Sequence, residues 1–587
     1  MVEIPRRRVM LVLVAFLVFM GAVGWRLVSF QVLRGADLSE EALDERFGDR
    51  VVPAQRGTIY DRNGAILAST IPSDRLEVDL TQVKASEDNT LARVLAAPLM
   101  MSPSIILDIL TGAREADRVW VQIKTRLTPE QSQQIRDLKL WCMEDDSPCL
   151  YLQPEPKRVY PNGDFASQLI GFTNWELQGE YGVEASYDEQ IGGTPGRVRA
   201  EYDVFGNLIA IGDHNLEAPT DGLDVTLTID SAVQRMAEEQ LEGAIRSDGA
   251  TGGTVIVMDV QTGAIVALAN RPSFNPNTYG DYNLAVFSNP AVSSLYEPGS
   301  TMKVITMAIG LQTGAVNTNS IFYDNPGYIL IDKGDGSGGK YKITNLYGAS
   351  YGQETMSEIL QHSSNLGSAY IAGKVGADRY YDMLRQFGIG TPTGIDLPGE
   401  EAGIVNWSSN PQWRPINLST NAYGQGITVT PIQMITAVAA VVNGGKLMKP
   451  YVVSQLSRDG QVVKRNDPTV VRQVVSPQVS REVVSMMTDV VDNVSYPYVG
   501  IPGYAVGSKS GTAQIPAAGG GYEPDDQTIG SLIGIGPSEN PRFAVLVKID
   551  RPKDALLGSV TSGPPVRQLL MQLFTLYAIP PTRRETP

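Results

Sequence analysis

A serine and a lysine stand three residues apart in LYEPGSTMKVITMA, residues 295–308, where an apolar, helix-like run begins. A hydroxyl is a weak nucleophile at neutral pH and needs a base. The chain has only two histidines, so the commonest base is scarce. On one helix Ser300 and Lys303 would face the same way, and the lysine could take the hydroxyl proton. Pro298-Gly299 precedes the run. Near a helix start the Ser300 backbone N–H has no intrahelical partner and is free to bind an oxyanion. The competing reading makes Ser300 an N-cap and Lys303 a solvated side chain. Taken alone, the motif fits both.

A lysine is partly neutral only if burial or a second cation depresses its pKa. The chemical reading therefore demands a second cation and polar partners elsewhere. Lys509-Ser510-Gly511-Thr512, in VGSKSGTAQ, holds the chain's only Lys-[Ser/Thr]-Gly. Gly511 would suit close approach of a strand to a ligand; the bland reading is an exposed edge strand. Ser363 and Asn365 form a Ser-x-Asn between the helical stretches MSEILQH and LGSAYIAGKVG, where a short turn presents a hydroxyl and an amide rigidly. They are preferred to Ser408/Asn410, in a polar loop before Pro411, and to Ser419/Asn421, which leads into AYGQGITVTPIQM. A second Ser-x-x-Lys, Ser337/Lys340, lies in KGDGSGGKYK, too rich in glycine for a helix. Gly334 to Lys340 also approximates a P-loop, but Tyr341 stands where a Ser or Thr belongs and no apolar strand precedes it. It reads as a flexible loop. His362 adjoins Ser363, yet no G-x-S-x-G elbow accompanies it, and it reads as an incidental loop residue.

These residues need a scaffold. At 587 residues the chain should hold two to four domains. Its 42% hydrophobic and 19% charged content suits folded material. A net charge of -16 argues against a nucleic-acid partner and reads as a solvated surface. Arg6, Arg7 and Arg8 precede an apolar run from Val9 to Trp25 that continues to Leu33. It is about long enough to cross a bilayer, and the arginines predict a cytoplasmic N-terminus and an exported body. A signal peptide cut near Ala22-Val23-Gly24 is the alternative; apolar residues beyond that site favour retention. No second run of that length follows. Cys142 and Cys149 are the only cysteines. An exported body permits a disulfide between them, whereas two thiolates without a nearby histidine do not close a zinc site.

Residues 34–50 read as a polar helix. Asn63-Gly64 marks a hairpin within Pro53–Thr70, and Glu180–Arg197 reads as a helix ended by Gly192-Gly193. A boundary falls in residues 216–230. Then DVTLTID alternates like a strand, and a helix follows with Ser231 as its N-cap. Gly252–Ala269 reads as a hairpin around Gln261-Thr262-Gly263, and IGSLIGIG and RFAVLVKID as paired strands. Residues 300–445 read as mostly helical. Strands at both ends with helices between imply an α+β layout, an antiparallel sheet packed by helices.

Ser300-x-x-Lys303, Ser363-x-Asn365 and Lys509-Ser510-Gly511, in that order, resemble the penicillin-interacting acyltransferases. RGTIYDRNG, RVYPNGDFASQLIGF and GVEASYDEQIGGTPG look like pedestal motifs of class B penicillin-binding proteins, and EPGSTMK and YGQGITVTPIQ like that class's transpeptidase domain. No segment looks like a glycosyltransferase. The resemblance implies the penicillin-binding transpeptidase fold with a helical subdomain, on an elongated mixed α/β pedestal. It implies a cytoplasmic tail at 1–8, a transmembrane helix at 9–30, a pedestal at 31–220 and a transpeptidase domain at 221–587. It further implies a D,D-transpeptidase that cross-links peptidoglycan and binds β-lactams, with no cofactor and no metal. Ser300 would attack the penultimate D-Ala carbonyl of a stem peptide while Lys303 takes its proton. Ser363 would relay a proton, and Asn365 would hold Lys303 or the substrate amide. Lys509 would attract the terminal carboxylate and depress the Lys303 pKa. Ser510 and Thr512 hydroxyls would bind that carboxylate, and the Ser300 and Thr512 N–H groups would form the oxyanion hole. Ser510 departs from the threonine of many members but keeps the hydroxyl. LIGFTNWELQGEYGVEASYDEQIGGTPGR resembles the division type and its sporulation relatives more than the side-wall elongation type. The implied partner is a SEDS-family glycosyltransferase with other divisome or elongasome proteins. A β-lactamase, a D,D-carboxypeptidase, a β-lactam sensor and an inactive scaffold are the alternatives; the pedestal and anchor disfavour the first two.

Overall fold

The computed structural model describes residues 6–34, 47–138, 141–142, 147–201, 214–334, 337–517, 521–524, 527–553 and 557–583. The chain divides into two compact units, residues 1–55 with 192–222, and residues 56–191 with 223–587. In the first, the apolar run is helical over Arg6–Val28 and closes in a π-turn, Ser29–Leu33. The apolar stretch Val9–Leu33 has 25 residues, and an 18-residue window within it has a mean hydropathy of 2.3. At ~1.5 Å per residue it measures about 37 Å, more than the ~30 Å of hydrocarbon, and it fits a membrane anchor. Most of the polar helix expected over 34–50 lies outside the described residues. Its end is a strand instead: Phe47–Val52 pairs antiparallel with Gly196–Glu201, which pairs with His214–Glu217.

The second unit carries every candidate site residue. The predicted hairpin forms from Ile59–Tyr60 and Ile66–Ile71 around Gly64. Its first strand lies parallel to Asp224–Leu227, which pairs on its other side with Val453–Arg458. One sheet thus draws strands from both sides of the sequence boundary near residue 220. Beneath it, buried Glu184 accepts from Arg56 Nε and Arg158 Nε, each at 2.7 Å. Cys149 is buried and disulfide-bonded; the side chain of Cys142 lies outside the described residues.

Helix α1, Ser231–Asp248, is capped by Asp230, whose carboxylate accepts from Ala232 N; Ser231 is its first residue and not the cap. The sheet that positions the site has five strands: β1, Gly252–Asp259; β2, Ile265–Arg271; β3, Gly507–Gln514; β4, Thr528–Gly536; and β5, Phe543–Asp550, in the order β2-β1-β5-β4-β3. All four pairings are antiparallel. Both faces are covered, so β1, β4 and β5 are buried almost throughout. Successive residues enter different cores. Val255 and Val257 pack with Val233 and Leu241 of α1 and with Leu569 and Phe574 near the C-terminus. Ile256 and Met258 join the larger core of the helical side. That side is built on α2, Met302–Gln312; α3, Met356–Gln361; α4, Asn365–Val375; α5, Pro431–Val442; and α6, Pro477–Val490. Three short strand pairs interrupt the stretch read as mostly helical: Ile321–Asp324 with Gly352–Thr355, Ile329–Asp332 with Lys340–Ile343, and Ile404–Val405 with Ile427–Thr428. Lys340 therefore opens a strand, and Ser337 and Lys340 share no helix.

Candidate active site

Ser300 sits in a single 3-10 turn, Gly299–Thr301, that runs into α2. No side chain caps either segment, so the N-cap reading of Ser300 does not hold. Two close approaches fix this turn. A Cβ on Gly511 would lie 2.7 Å from Pro298 O and 2.8 Å from Ser531 Oγ. A Cβ on Gly424, whose φ is +83°, would lie 2.1 Å from Gly299 O. One close approach at Gly511 is thus to the backbone beside the nucleophile candidate. The loop 423–426 closes the turn from the other side through Gly299 N to Gly424 O at 3.0 Å. Glu297, just upstream, is buried and accepts from Gly426 N at 2.8 Å and from Tyr522 Oη at 3.2 Å. Burial raises its carboxyl pKa against those two bonds.

Residues Met302–Leu311 of α2 are all buried, and Lys303 among them is 1% exposed. Its Nζ lies 3.0 Å from Ser300 Oγ, 2.5 Å from Ser363 O, 3.1 Å from Ser363 Oγ and 2.8 Å from Asn365 Oδ1. The Ser363 carbonyl and the Asn365 amide oxygen can only accept. They take two N–H groups, which are all that a neutral amine has. In that neutral form its lone pair faces the two hydroxyls, to which the ammonium form donates. Burial first, and then the Lys509 ammonium, hold the Lys303 amine well below the ordinary lysine value, while Glu354 opposes them. A cation was expected to supply this shift; burial is the larger cause. Lys509 is itself 2% exposed and brought down to about 8 by burial, with Nζ donating to Ser510 O at 3.0 Å.

Ser363 holds a left-handed backbone, φ +55°, at the end of α3, and Ser364 caps α4 by accepting from Gly367 N. The rival Ser-x-Asn pairs are occupied elsewhere. Ser408 Oγ donates to Asp378 Oδ1 at 3.0 Å, and buried Asn421 bonds the Tyr381 hydroxyl. On edge strand β3, Ser510 and Thr512 share the less buried face and Lys509 and Gly511 the buried one. Thr512 Oγ1 accepts from Gly558 N at 3.0 Å and keeps its proton to donate. His362 is not incidental: its Nδ1 lies 3.0 Å from Glu354 Oε1, and its ring stacks on Tyr351. Glu354 was missed, because an isolated glutamate carries no spacing signal. Among the described residues no group of His, Cys, Asp and Glu is arranged to hold a metal ion.

A buried lysine bonded to a serine and to a Ser-x-Asn turn, with a second buried lysine on an edge strand acting on it, has the parts that serine acyl transfer needs. Residues 253–571 match the penicillin binding protein transpeptidase domain, and residues 51–227 the penicillin-binding protein dimerisation domain. The chain is 30% identical over 586 residues to stage V sporulation protein D of Bacillus subtilis (strain 168), covering 99% of this chain and 87% of that one. It is 29% identical over 562 residues to the peptidoglycan D,D-transpeptidase FtsI of Escherichia coli (strain K12), covering 94% and 88%. The crystal structure of penicillin binding protein 2X from Streptococcus thermophilus superposes with a TM-score of 0.74 at 26% identity, over 90% of this chain and 81% of the other. The chain belongs to the penicillin-binding proteins. Within them it is a class B member, a serine-type peptidoglycan D,D-transpeptidase.

Proposed function

We propose that Ser300 is the acylated nucleophile and Lys303 its base. The observation that carries this is the Lys303 amine: buried, depressed, and with both neutral N–H groups claimed by Ser363 O and Asn365 Oδ1. Its lone pair then accepts the Ser300 proton. Oγ attacks the penultimate D-Ala carbonyl of a stem peptide, the Ser300 and Thr512 N–H groups receive the oxyanion, and Ser363 passes a proton to the departing D-Ala. An amine of a second stem peptide then resolves the acyl-enzyme. Lys509, Ser510 and Thr512 bind the terminal carboxylate of the donor. The same chemistry opens a β-lactam ring. Labelling with a fluorescent penicillin is expected to vanish in Ser300→Ala; labelling that persists overturns the assignment.

The pedestal runs to about residue 220 and the transpeptidase domain from 221, a division supported by the two family matches at 51–227 and 253–571. The N-terminus is cytoplasmic, a reading that Arg6, Arg7 and Arg8 support, and a disulfide joins Cys142 to Cys149, which the bonded state of Cys149 supports. The protein acts in septal wall synthesis beside a SEDS-family glycosyltransferase. The division-like segment 169–197 and the similarity to a sporulation protein support this. A fluorescent fusion is expected at the septum; placement along the side wall overturns the septal role.

A further inference from the structure

One carboxylate holds both neighbours of Ser363. Glu354, on the strand Gly352–Thr355, is fully buried. Its Oε1 lies 3.0 Å from His362 Nδ1, and its Oε2 accepts from Ser364 Oγ at 2.9 Å. Ser364 Oγ also accepts from Gly367 N at 3.0 Å, which caps α4 and so sets where Asn365 begins that helix. Between the two anchored residues Ser363 keeps its positive φ of 55°. A β-carbon disfavours that conformation, and it persists only where the surroundings impose it. Its result is functional: in this conformation Ser363 turns both its carbonyl and its hydroxyl onto Lys303 Nζ, at 2.5 and 3.1 Å.

We propose that Glu354 is a positioning residue for the acyl-transfer site: its carboxylate clamps His362 and Ser364, fixes the Ser363 backbone, and sets the charge balance at Lys303. The proposal rests on the Ser300/Lys303 reading and deepens it. The clamp is short and closed. The strand pair carrying Glu354 is held by Asp324, whose Oδ2 accepts from Asn345 Nδ2 and Tyr351 N, each at 3.1 Å, and Asn345 Oδ1 accepts from Leu366 N. Tyr351 stacks on the His362 ring with centroids 4.4 Å apart. The charged groups facing one another are few. Lys303 meets Lys509 and Glu354, Glu354 meets His362 and Asp324, and His362 meets Glu354 and Glu358. Glu354 is the group in this set that raises the Lys303 pKa, while burial and Lys509 lower it. Burial raises the Glu354 carboxyl against its bonds to His362 and Ser364; in its ionised form it restrains how far the lysine is pushed toward neutrality.

The test is the second-order rate of acylation by a fluorescent penicillin between pH 5 and 10, on full-length protein in detergent. In Glu354→Gln the plateau should fall about tenfold, as expected when a buried bond is loosened. Its acid limb should move to lower pH, because the group that raises the Lys303 pKa has lost its charge. A purely structural glutamate would lower the plateau and leave the limb where it is, and that result overturns the proposal. His362→Ala, at a partly exposed ring, should lower the plateau even if the glutamine variant folds poorly. His362→Asn, whose Nδ2 can occupy the place of Nδ1, should keep it within about twofold. Equal rates in the alanine and asparagine variants also overturn the clamp. Loss of labelling in Ser300→Ala beside an unchanged Glu354→Gln sinks the clamp alone; labelling in Ser300→Ala sinks the reading beneath it.

Discussion

Asn365→Asp isolates the electrostatics of the lysine with the smallest change of shape. The amide oxygen 2.8 Å from Lys303 Nζ becomes a carboxylate oxygen at nearly the same place. At an effective dielectric of about 20, unit charges at that separation attract by about 6 kcal/mol, equivalent to about 4 pKa units. Ionising a carboxyl in a half-buried site offsets roughly half of this. The Lys303 pKa should therefore rise by about 2 units. The sign follows from the role: only the neutral amine accepts the Ser300 proton, so a raised pKa moves the acid limb of acylation to higher pH. On that limb the rate should fall about 100-fold, and it should recover as the pH is raised by about 2 units. The variant also loses the bond that Asn365 Nδ2 donates to Thr344 O at 3.1 Å, so the unfolding temperature should change little or fall modestly at pH 7, and the displaced limb is what marks the loss as chemical. Acylation by fluorescent penicillin between pH 5 and 10, with thermal unfolding alongside, measures both. A rate lowered equally at every pH, with the limb in place, refutes the reasoning, because Lys303 would then not be the titrating base.

Lys509→Ala removes a cation that lowers the Lys303 pKa, so its acid limb should also move up. In the parent protein, binding of a carboxylate donor should weaken as pH rises through about 8, where the Lys509 amine titrates, and this alkaline limb should be absent from the variant; KM for a D-Ala-D-Ala peptide measured against pH reads both. Glu184→Gln strands Arg158, 2% exposed, and leaves Arg56 with Asp188 as its carboxylate partner, at 2.6 Å; it should cost about 3–5 kcal/mol in denaturant unfolding, and a loss under about 1 kcal/mol refutes the pairing. Burial raises the Glu184 carboxyl, but the two guanidiniums outweigh it and hold the pKa low. Its contribution is then present above the ordinary carboxylate range and lost as pH falls through the lowered folded value, and the acid limb of stability should shrink in the glutamine variant.

What could be read from the sequence had strong local signals. Paired strands β4 and β5, the hairpin of β1 and β2, and the Asn63-Gly64 turn each announce themselves by alternation and a turn residue. What could not be read depends on partners distant in sequence. Phe47–Val52 looks helical by composition but becomes a strand because Gly196–Glu201 lies beside it. The strand pairs between Ile321 and Thr355 are only four residues per strand, too short for a period to show. The N-cap of α1 falls one residue early because Asp230 and Ser231 are both good caps and only the backbone angles of Asp230 are extended. Glu354 has no motif at all, and its role exists only once a strand and a turn meet. Lys303 is the opposite case. It interrupts MKVITMAIGLQ, a helix whose residues Met302–Leu311 are otherwise apolar or small apart from Thr306 and are all buried. A lone ammonium there costs more than a helix can recover, so the sequence is locally inconsistent unless that lysine is neutral. Neutrality requires acceptors for two N–H groups and leaves one lone pair, and a hydroxyl three residues upstream is the group in reach. The conflict between residue and environment, more than the Ser-x-x-Lys spacing, is what points to the chemistry.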